Sequence, residues 1–204
     1  MKLTTMTQVS VDGVMQGNGG ATEEDRRSGF ERGGWAGPPV FGDDTAAFIT
    51  QTYQRAGAFL FGRLTYEAFA GTWGAIADMR AHPIGVALAE APKYVASSTL
   101  TEPHWADTTV LSGDLTAAIG ELKARPGGEL QVHGSGALIR WLLEKNLVDE
   151  MTLVTVPVVV GQGTPLFPAA GPDIALDLAE SRAFPKGITL QVYRPAGRPR
   201  YATG

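Results

Sequence analysis

The sequence predicts an α/β fold, one domain around a central mixed, mostly parallel sheet with an antiparallel late edge. Three observations predict it. Short β-branched or apolar runs alternate with amphipathic helical stretches up to about residue 148, the pattern of βα units. Beyond that point strand-like runs follow one another, which suits antiparallel pairing. No repeat and no linker interrupts the order, so 1–196 reads as a single domain and 197–204 as a flexible tail.

The bulk numbers agree. A chain of 204 residues with 44% hydrophobic and 19% charged residues is long enough for a large apolar core. The formal net charge of -4 argues against a broad nucleic-acid surface. There is no Cys, which removes disulfides, thiolate catalysis and thiolate metal sites. Three scattered histidines, His82, His104 and His133, make a His-rich metal site an unpromising expectation. The start lacks an apolar signal-peptide core, and no run reaches the roughly 18 apolar residues of a membrane span. The expectation is a cytoplasmic protein with no metal, no nucleic-acid partner and no membrane partner.

Each element has a local reason. Leu3 to Val11 alternates as a strand and ends in the turn Asp12-Gly13. Residues 17–39 are Gly-rich and aperiodic, hence a functional flap or a disordered segment, with Phe30 and Trp35 favouring the flap. Asp43 or Asp44 can cap a helix over Thr45 to Ala56. Ala58 to Phe61 is a buried strand leading to a helix from Thr65 to Phe69, and Pro83 to Glu90 is a further helix. Lys93 to Ala96 and "TTVL" are strands, followed by a helix over Leu115 to Arg125 that Pro126-Gly127-Gly128 stops. "ELQV" is a strand entering a Gly turn, and Ala137 to Lys145 is a helix closed by Asn146. "EMTLVTVPVVVG" is a strand run holding Pro157 at a bulge, edge or start, and "ITLQVYRP" is the last strand.

Three strand ends share small or hydroxyl residues: Gly62-Arg63-Leu64-Thr65, Ser97-Ser98-Thr99 and Gly134-Ser135-Gly136. In open α/β sheets ligands bind at that edge, and a helix N-terminus there favours an anion. Each corner read singly is also a plain turn or cap. Arg63 is a fork suited to phosphate, or else the i,i+4 partner of Glu67. "HGSGALI" lacks the third Gly of a dinucleotide fingerprint and lies late in the chain, which disfavours an ordinary Rossmann domain. Carboxylates for proton transfer are few: Asp12, Asp43 and Asp44, each with an alternative reading as turn or cap. Trp35 and Trp73 could stack on a flat ring or simply pack.

"QVSVDGVMQG", "FLFGRLTYEAFAGTW", "KYVASSTL", "LQVHGSGALIRWLLEKNLVDEMTLVTVPVVVGQGTPLF" and "LQVYR" occur in that order. The set resembles the dihydrofolate reductase-like superfamily, in the branch of the RibD C-terminal reductase domain of riboflavin biosynthesis. The resemblance implies a three-layer α/β/α domain that binds NADPH along the carboxyl edge of its sheet. It implies a cofactor-phosphate site at the corner from Gly62 to Thr65, with Arg63, Ser97, Ser98 and Thr99 near the adenosine 2′-phosphate. Thr65, Gly134, Ser135 and Gly136 would then hold the pyrophosphate, with Gly161 and Gly163 beside the nicotinamide or substrate. It implies Asp12, in the S-x-D-G turn, or Asp44 on the first long helix, as catalytic carboxylates. Phe30, Trp35 and Trp73 would form the substrate side and lid.

The expected activity is hydride transfer from NADPH to a small heterocycle, a 5-amino-6-(5-phosphoribosylamino)uracil-like or pterin compound. A ligand-binding module without turnover and a dihydrofolate reductase proper are the alternatives. The apolar late strands make a homodimer an open expectation.

Overall fold

The structure is a computed structural model that describes residues 1–37 and 39–202. Pro38 of the expected flap, and Thr203 and Gly204 of the expected tail, lie outside the described residues. The helices are α1 (Glu23–Arg27), α2 (Asp43–Gln54), α3 (Arg63–Thr72), α4 (Ala77–Ala81), α5 (Pro83–Glu90), α6 (Leu115–Ala124) and α7 (Gly136–Glu144). The strands are β1 (Lys2–Ser10), β2 (Ala56–Gly62), β3 (Lys93–Ala96), β4 (Thr108–Leu111), β5 (Glu129–Val132), β6 (Glu150–Val156), β7 (Leu176–Ala183) and β8 (Thr189–Pro195). They form one eight-stranded sheet in the order β4-β3-β2-β5-β1-β6-β8-β7. The first six of these run parallel, while β8 and β7 pair antiparallel. This is the mixed α/β sheet with an antiparallel late edge that the sequence predicts.

Both faces of the sheet are covered, and the sequence shows why. In β2, Phe59 and Phe61 enter one apolar cluster with Tyr66, Leu88 and Val95, while Ala58 and Leu60 enter the other with Ile119, Ile139 and Leu142. A strand buried on both faces reads as a continuous apolar run rather than an alternating one. Each such fully buried large side chain contributes on the order of 1.5–3 kcal/mol. The first cluster lies under α2, α3 and α5, and the second under α6 and α7. The parallel strands point the same way, so their carboxyl ends share one edge: Gly62 stands level with Ala96 and Ser10 with Val156, five residues beyond the level at which Val132 ends β5.

Several elements differ from the sequence expectation. α2 starts at Asp43 with Gly42 as N-cap, so Asp43 and Asp44 sit in the first turn instead of capping it. There they complement the positive end of the helix dipole. β6 stops at Val156, and Pro157 follows it as a terminator rather than lying inside the strand. β7 has no counterpart in the expected elements. It is an edge strand with all residues but Glu180 exposed, so it needs no apolar alternation. The flap contains α1 and is tied down at Phe30, which is 2% exposed. Residues 197–202 carry no regular element, yet Ala175 N donates to Gly197 O at 2.8 Å and Tyr201 Oη to Asp173 at 3.1 Å. Among the described residues no helix is long and apolar enough to cross a membrane.

Candidate active site

The carboxyl edge brings two helix starts together. α3 follows β2 at Gly62, and α7 follows β5 at Ser135. Gly62 N donates to Gly134 O at 3.3 Å. A side chain at Gly62 would place its Cβ 2.5 Å from Ser135 Oγ, and one at Gly134 would stand 2.9 Å from Thr65 Oγ1. Gly134 also has a φ of +141°, and its bond to Ser135 is cis. The corner therefore needs glycine at both positions for close approach of the two chains.

The donors of this corner suit an anion. The first N–H groups of a helix have no intrahelical acceptor. In α3 the N-cap is Gly62 and no side chain caps it, which leaves the amides of Leu64 and Thr65 open. In α7, Ser135 Oγ accepts from Leu138 N at a long 3.4 Å. Two helix N-termini on one spot fit a pyrophosphate by backbone donors alone. The residues present fit a dinucleotide on this ground.

The neighbouring corners are less committed. Arg63 is exposed and paired with Glu67, at 2.9 and 3.2 Å to its two oxygens. Ser97 Oγ accepts from Thr99 N at 3.1 Å and Leu100 N at 3.0 Å, which is a side-chain turn, and Ser98 and Thr99 are exposed. Trp73 is not brought to this edge. It ends α3, about 15 Å along the helix from Gly62, and packs against His82 at 5.7 Å.

The other side of the edge is a three-way tie. Asp12 accepts from Ser10 Oγ at 2.6 Å, from Gly161 N at 2.7 Å and from Val160 N at 3.0 Å. Those bonds, the Ser10 hydroxyl first, then the two amides, hold its pKa down at about 2. Asp12 is thus an ionised clasp between the turn after β1 and the loop after β6. Gln16 extends the tie, its Oε1 accepting from Thr164 N at 2.8 Å and its Nε2 donating to Asp25 at 2.7 Å. Gln162 Nε2 donates to Gly29 O at 2.8 Å, and Arg32 donates to Val160 O. Phe30 fills a small apolar knot with Val14 and Val160. The Phe30 ring stands where a Cβ on Gly163 would fall, at 2.6 Å. Trp35 donates its indole N–H to Gln16 O at 2.9 Å and bridges this knot to the main core.

Under α2 lies His133, the residue that follows β5. Its ring stacks on Tyr53 at 4.1 Å and tilts against Phe59 at 5.9 Å. Its Nε2 meets Gln131 Oε1 at 3.1 Å, and Gln131 Nε2 donates to Thr52 O at 2.6 Å and Glu129 at 2.8 Å. Since the Gln131 nitrogen is committed as donor, its oxygen accepts and His133 Nε2 carries the proton. Burial pushes the His133 pKa down to about 3, so the ring is neutral. Asp44, like Asp43, is exposed, and the inward position of that turn is Thr45. Sequence reasoning missed Gln16, Gln131 and Thr45, because a carboxamide or hydroxyl leaves no local pattern. Among the described residues no three His, Asp or Glu side chains gather to hold a metal.

A parallel sheet with paired, glycine-built helix starts at its carboxyl edge defines an α/β domain with an anion-suited corner. The chain belongs to the RibD C-terminal domain family, whose profile matches residues 1–190. It is similar to two uncharacterised Bacillus subtilis (strain 168) proteins. YyaP is 33% identical over 101 residues, 50% of this chain and 53% of that protein. YwjB is 26% identical over 86 residues, 42% of this chain and 49% of that protein. The chain spans about half the length of the curated relatives it matches. Solved structures show the same fold. A candidate riboflavin biosynthesis protein from Shewanella sp. PV-4 superposes with a TM-score of 0.69 at 21% identity, covering 96% of this chain and 99% of that one. A pyrimidine reductase-like protein from Corynebacterium diphtheriae gives 0.63 at 14%, covering 96% and 92%. RibD of Acinetobacter baumannii gives 0.61 at 11%, covering 96% of this chain and 58% of that one.

Proposed function

We propose that the protein is an NADPH-dependent reductase that transfers hydride to a small heterocyclic substrate. The observation that carries this reading is the uncapped start of α3 meeting the start of α7 at Gly62 and Gly134. Family membership supports the same conclusion. When bound, the dinucleotide supplies the hydride. Gly62, Thr65 and the Gly134-Ser135-Gly136 turn hold its pyrophosphate by backbone and hydroxyl donors. Arg63, released from Glu67, reaches the 2′-phosphate together with the Ser97-Ser98-Thr99 turn. Gly161 and Gly163 border the nicotinamide end, and the Asp12 clasp holds that loop in place.

In this reading the carboxylates take supporting parts. Asp12 accepts three hydrogen bonds and stays ionised, so it positions the loop and gives up no proton. Asp44 faces solvent. In this reading the proton that completes the reduction reaches the substrate through water. Phe30 anchors the flap instead of closing over the ring, and Trp35 is the flap aromatic nearest the core.

The test is a titration with NADPH and NADH, followed by nicotinamide fluorescence. The reading predicts micromolar binding of NADPH and at least tenfold weaker binding of NADH. Absence of binding for both cofactors overturns it.

A further inference from the structure

A cleft of about 510 Å³ lies at the amino edge of the sheet, where α2 ends, β2 begins and α5 ends. Gly57, on its wall, is about 16 Å along β2 from Gly62. The volume falls within the range of small-molecule sites. The walls are small or apolar: Ala56, Gly57, Pro83, Val86, Ala87 and Pro92. Val86 leaves an apolar side chain 41% exposed there. No residue of the Gly62 and Gly134 corner or of the Asp12 tie lines this cleft.

Three observations give the cleft its chemistry. Tyr53 lines it, 7% exposed, with its ring stacked on His133. The Tyr53 hydroxyl bonds no described residue, yet it is not sealed as the unpartnered hydroxyls of Thr5, Thr7 and Thr45 are. Proteins pair nearly all buried polar atoms, so an open one on a cleft wall is free to pair with what enters the cleft. The last residues of α2 and α5, Gln54 and Glu90, also line it, and neither helix has a basic residue in its last turn. Helix carboxyl ends carry a partial negative charge that a cation complements. Glu90 itself is exposed, and the ion pairs among the described residues leave it out. The cations that adjoin these chain ends are engaged elsewhere, and neither lines the cleft. Arg55 holds Glu129 at 3.2 Å. Lys93 is 0% exposed and donates to Leu88 O at 2.9 Å and Ala91 O at 2.8 Å.

We infer that this cleft is a second ligand site, selective for a small organic monocation: a protonated amine carried on an apolar body. The body fills the space between α2 and α5. The ammonium group takes the Glu90 carboxylate and the two helix ends. The Tyr53 hydroxyl, which both donates and accepts, pairs with a polar group of the body such as a ring N–H. An anion of the same shape is repelled by Glu90 and by the helix ends, and a neutral analogue keeps the apolar contact alone. The inference stands apart from the reductase reading, because it uses the opposite edge of the sheet.

The experiment titrates the full chain with three indoles of one shape and different charge: tryptamine, tryptophol and indole-3-propionate. Amide chemical shifts report the place of binding and the dissociation constants. Tryptamine is expected to saturate at submillimolar concentration, with the largest changes at Tyr53, Gly57, Ala87 and Glu90. Tryptophol should bind about tenfold more weakly, and indole-3-propionate more weakly still. Glu90→Gln, an exposed change that should leave the thermal midpoint in place, is expected to weaken tryptamine about tenfold and to leave tryptophol unchanged. Tyr53→Phe should weaken both by about threefold, the loss of one neutral hydrogen bond. Absence of saturable tryptamine binding overturns the inference, and so do saturable changes confined to amides away from the cleft. Equal affinity for the three indoles, or tryptamine affinity unchanged in Glu90→Gln, refutes the cation class. A parallel NADPH titration keeps the two readings apart: its failure leaves the tryptamine result standing, and failure of tryptamine leaves the cofactor reading untouched.

Discussion

The two sides of the carboxyl edge are built in different ways. The corner at Gly62 and Gly134 is made of backbone: two glycines and two helix starts, one of them with no side-chain cap. The opposite side is made of side chains reaching across the chain, with Asp12 to Gly161 and Gln16 to Thr164 both separated by more than 140 residues. A backbone-built corner is intolerant of added atoms and indifferent to pH. A side-chain tie tolerates shape changes better and depends on ionisation. The difference shows where a cofactor pocket is fixed and where specificity is free to vary.

The sharpest way to break this contrast is at the glycines. Gly62→Ala is expected to destabilise the protein by about 1–3 kcal/mol through overpacking against Ser135 and to abolish NADPH binding. Gly57→Ala is the matched control at the other end of β2, where a Cβ would stand 2.7 Å from Gly128 N. It should destabilise by a similar amount in chemical denaturation and leave the cofactor dissociation constant unchanged. Equal loss of affinity in both variants would remove the distinction between the two ends.

Asp12→Asn tests the tie. The variant should fold, lose hydrogen-exchange protection at Val160 and Gly161, and raise KM for substrate more than it lowers kcat. A fall of kcat alone, with protection intact, would return Asp12 to a chemical role. In the parent chain the clasp is complete above about pH 4. It weakens as pH falls from the ordinary 3.8 toward 2, because the folded-state pKa is the lower one.

A separate pH effect, on stability, comes from His133. Its pKa falls from 6.5 to about 3 on folding, so the unfolded chain binds the extra proton between those values. Stability should be fully present above pH 6.5 and decline below it, by at most about 1.4 kcal/mol per pH unit. His133→Phe should flatten that slope in denaturation curves collected from pH 4 to 7. An unchanged slope would assign it to other groups.

Arg63→Ala carries the smallest structural effect. Its exposed pair with Glu67 is worth about 0–1 kcal/mol. Affinity for NADPH should drop about tenfold and affinity for NADH should not change, as one charge-assisted contact to phosphate is removed. Equal loss for both cofactors would separate Arg63 from the 2′-phosphate.

The parts legible in sequence are those with local causes. β2 announces itself by a run buried on both faces, and α7 by its amphipathic period and by Asn146, which takes the left-handed φ of 54°. The Gly62 and Gly134 corners were visible because close approach demands glycine in place. β7 was not, since an exposed edge strand has no buried face to impose a period. The role of Asp12 was illegible for another reason. Its partners Val160 and Gly161 donate through backbone amides, which every residue carries. The exposure of Asp44 was illegible because one residue of register on a helix turns a side chain about 100° around the axis, and the inward residue of that turn is Thr45.

The most direct test of the central claim is amide chemical-shift mapping with NADPH. The account predicts the largest changes at Leu64, Thr65 and Gly136 to Leu138, with Gly57 and Gly128 at the opposite edge unmoved. Saturable changes confined to other amides, with Leu64 and Thr65 silent, would contradict it.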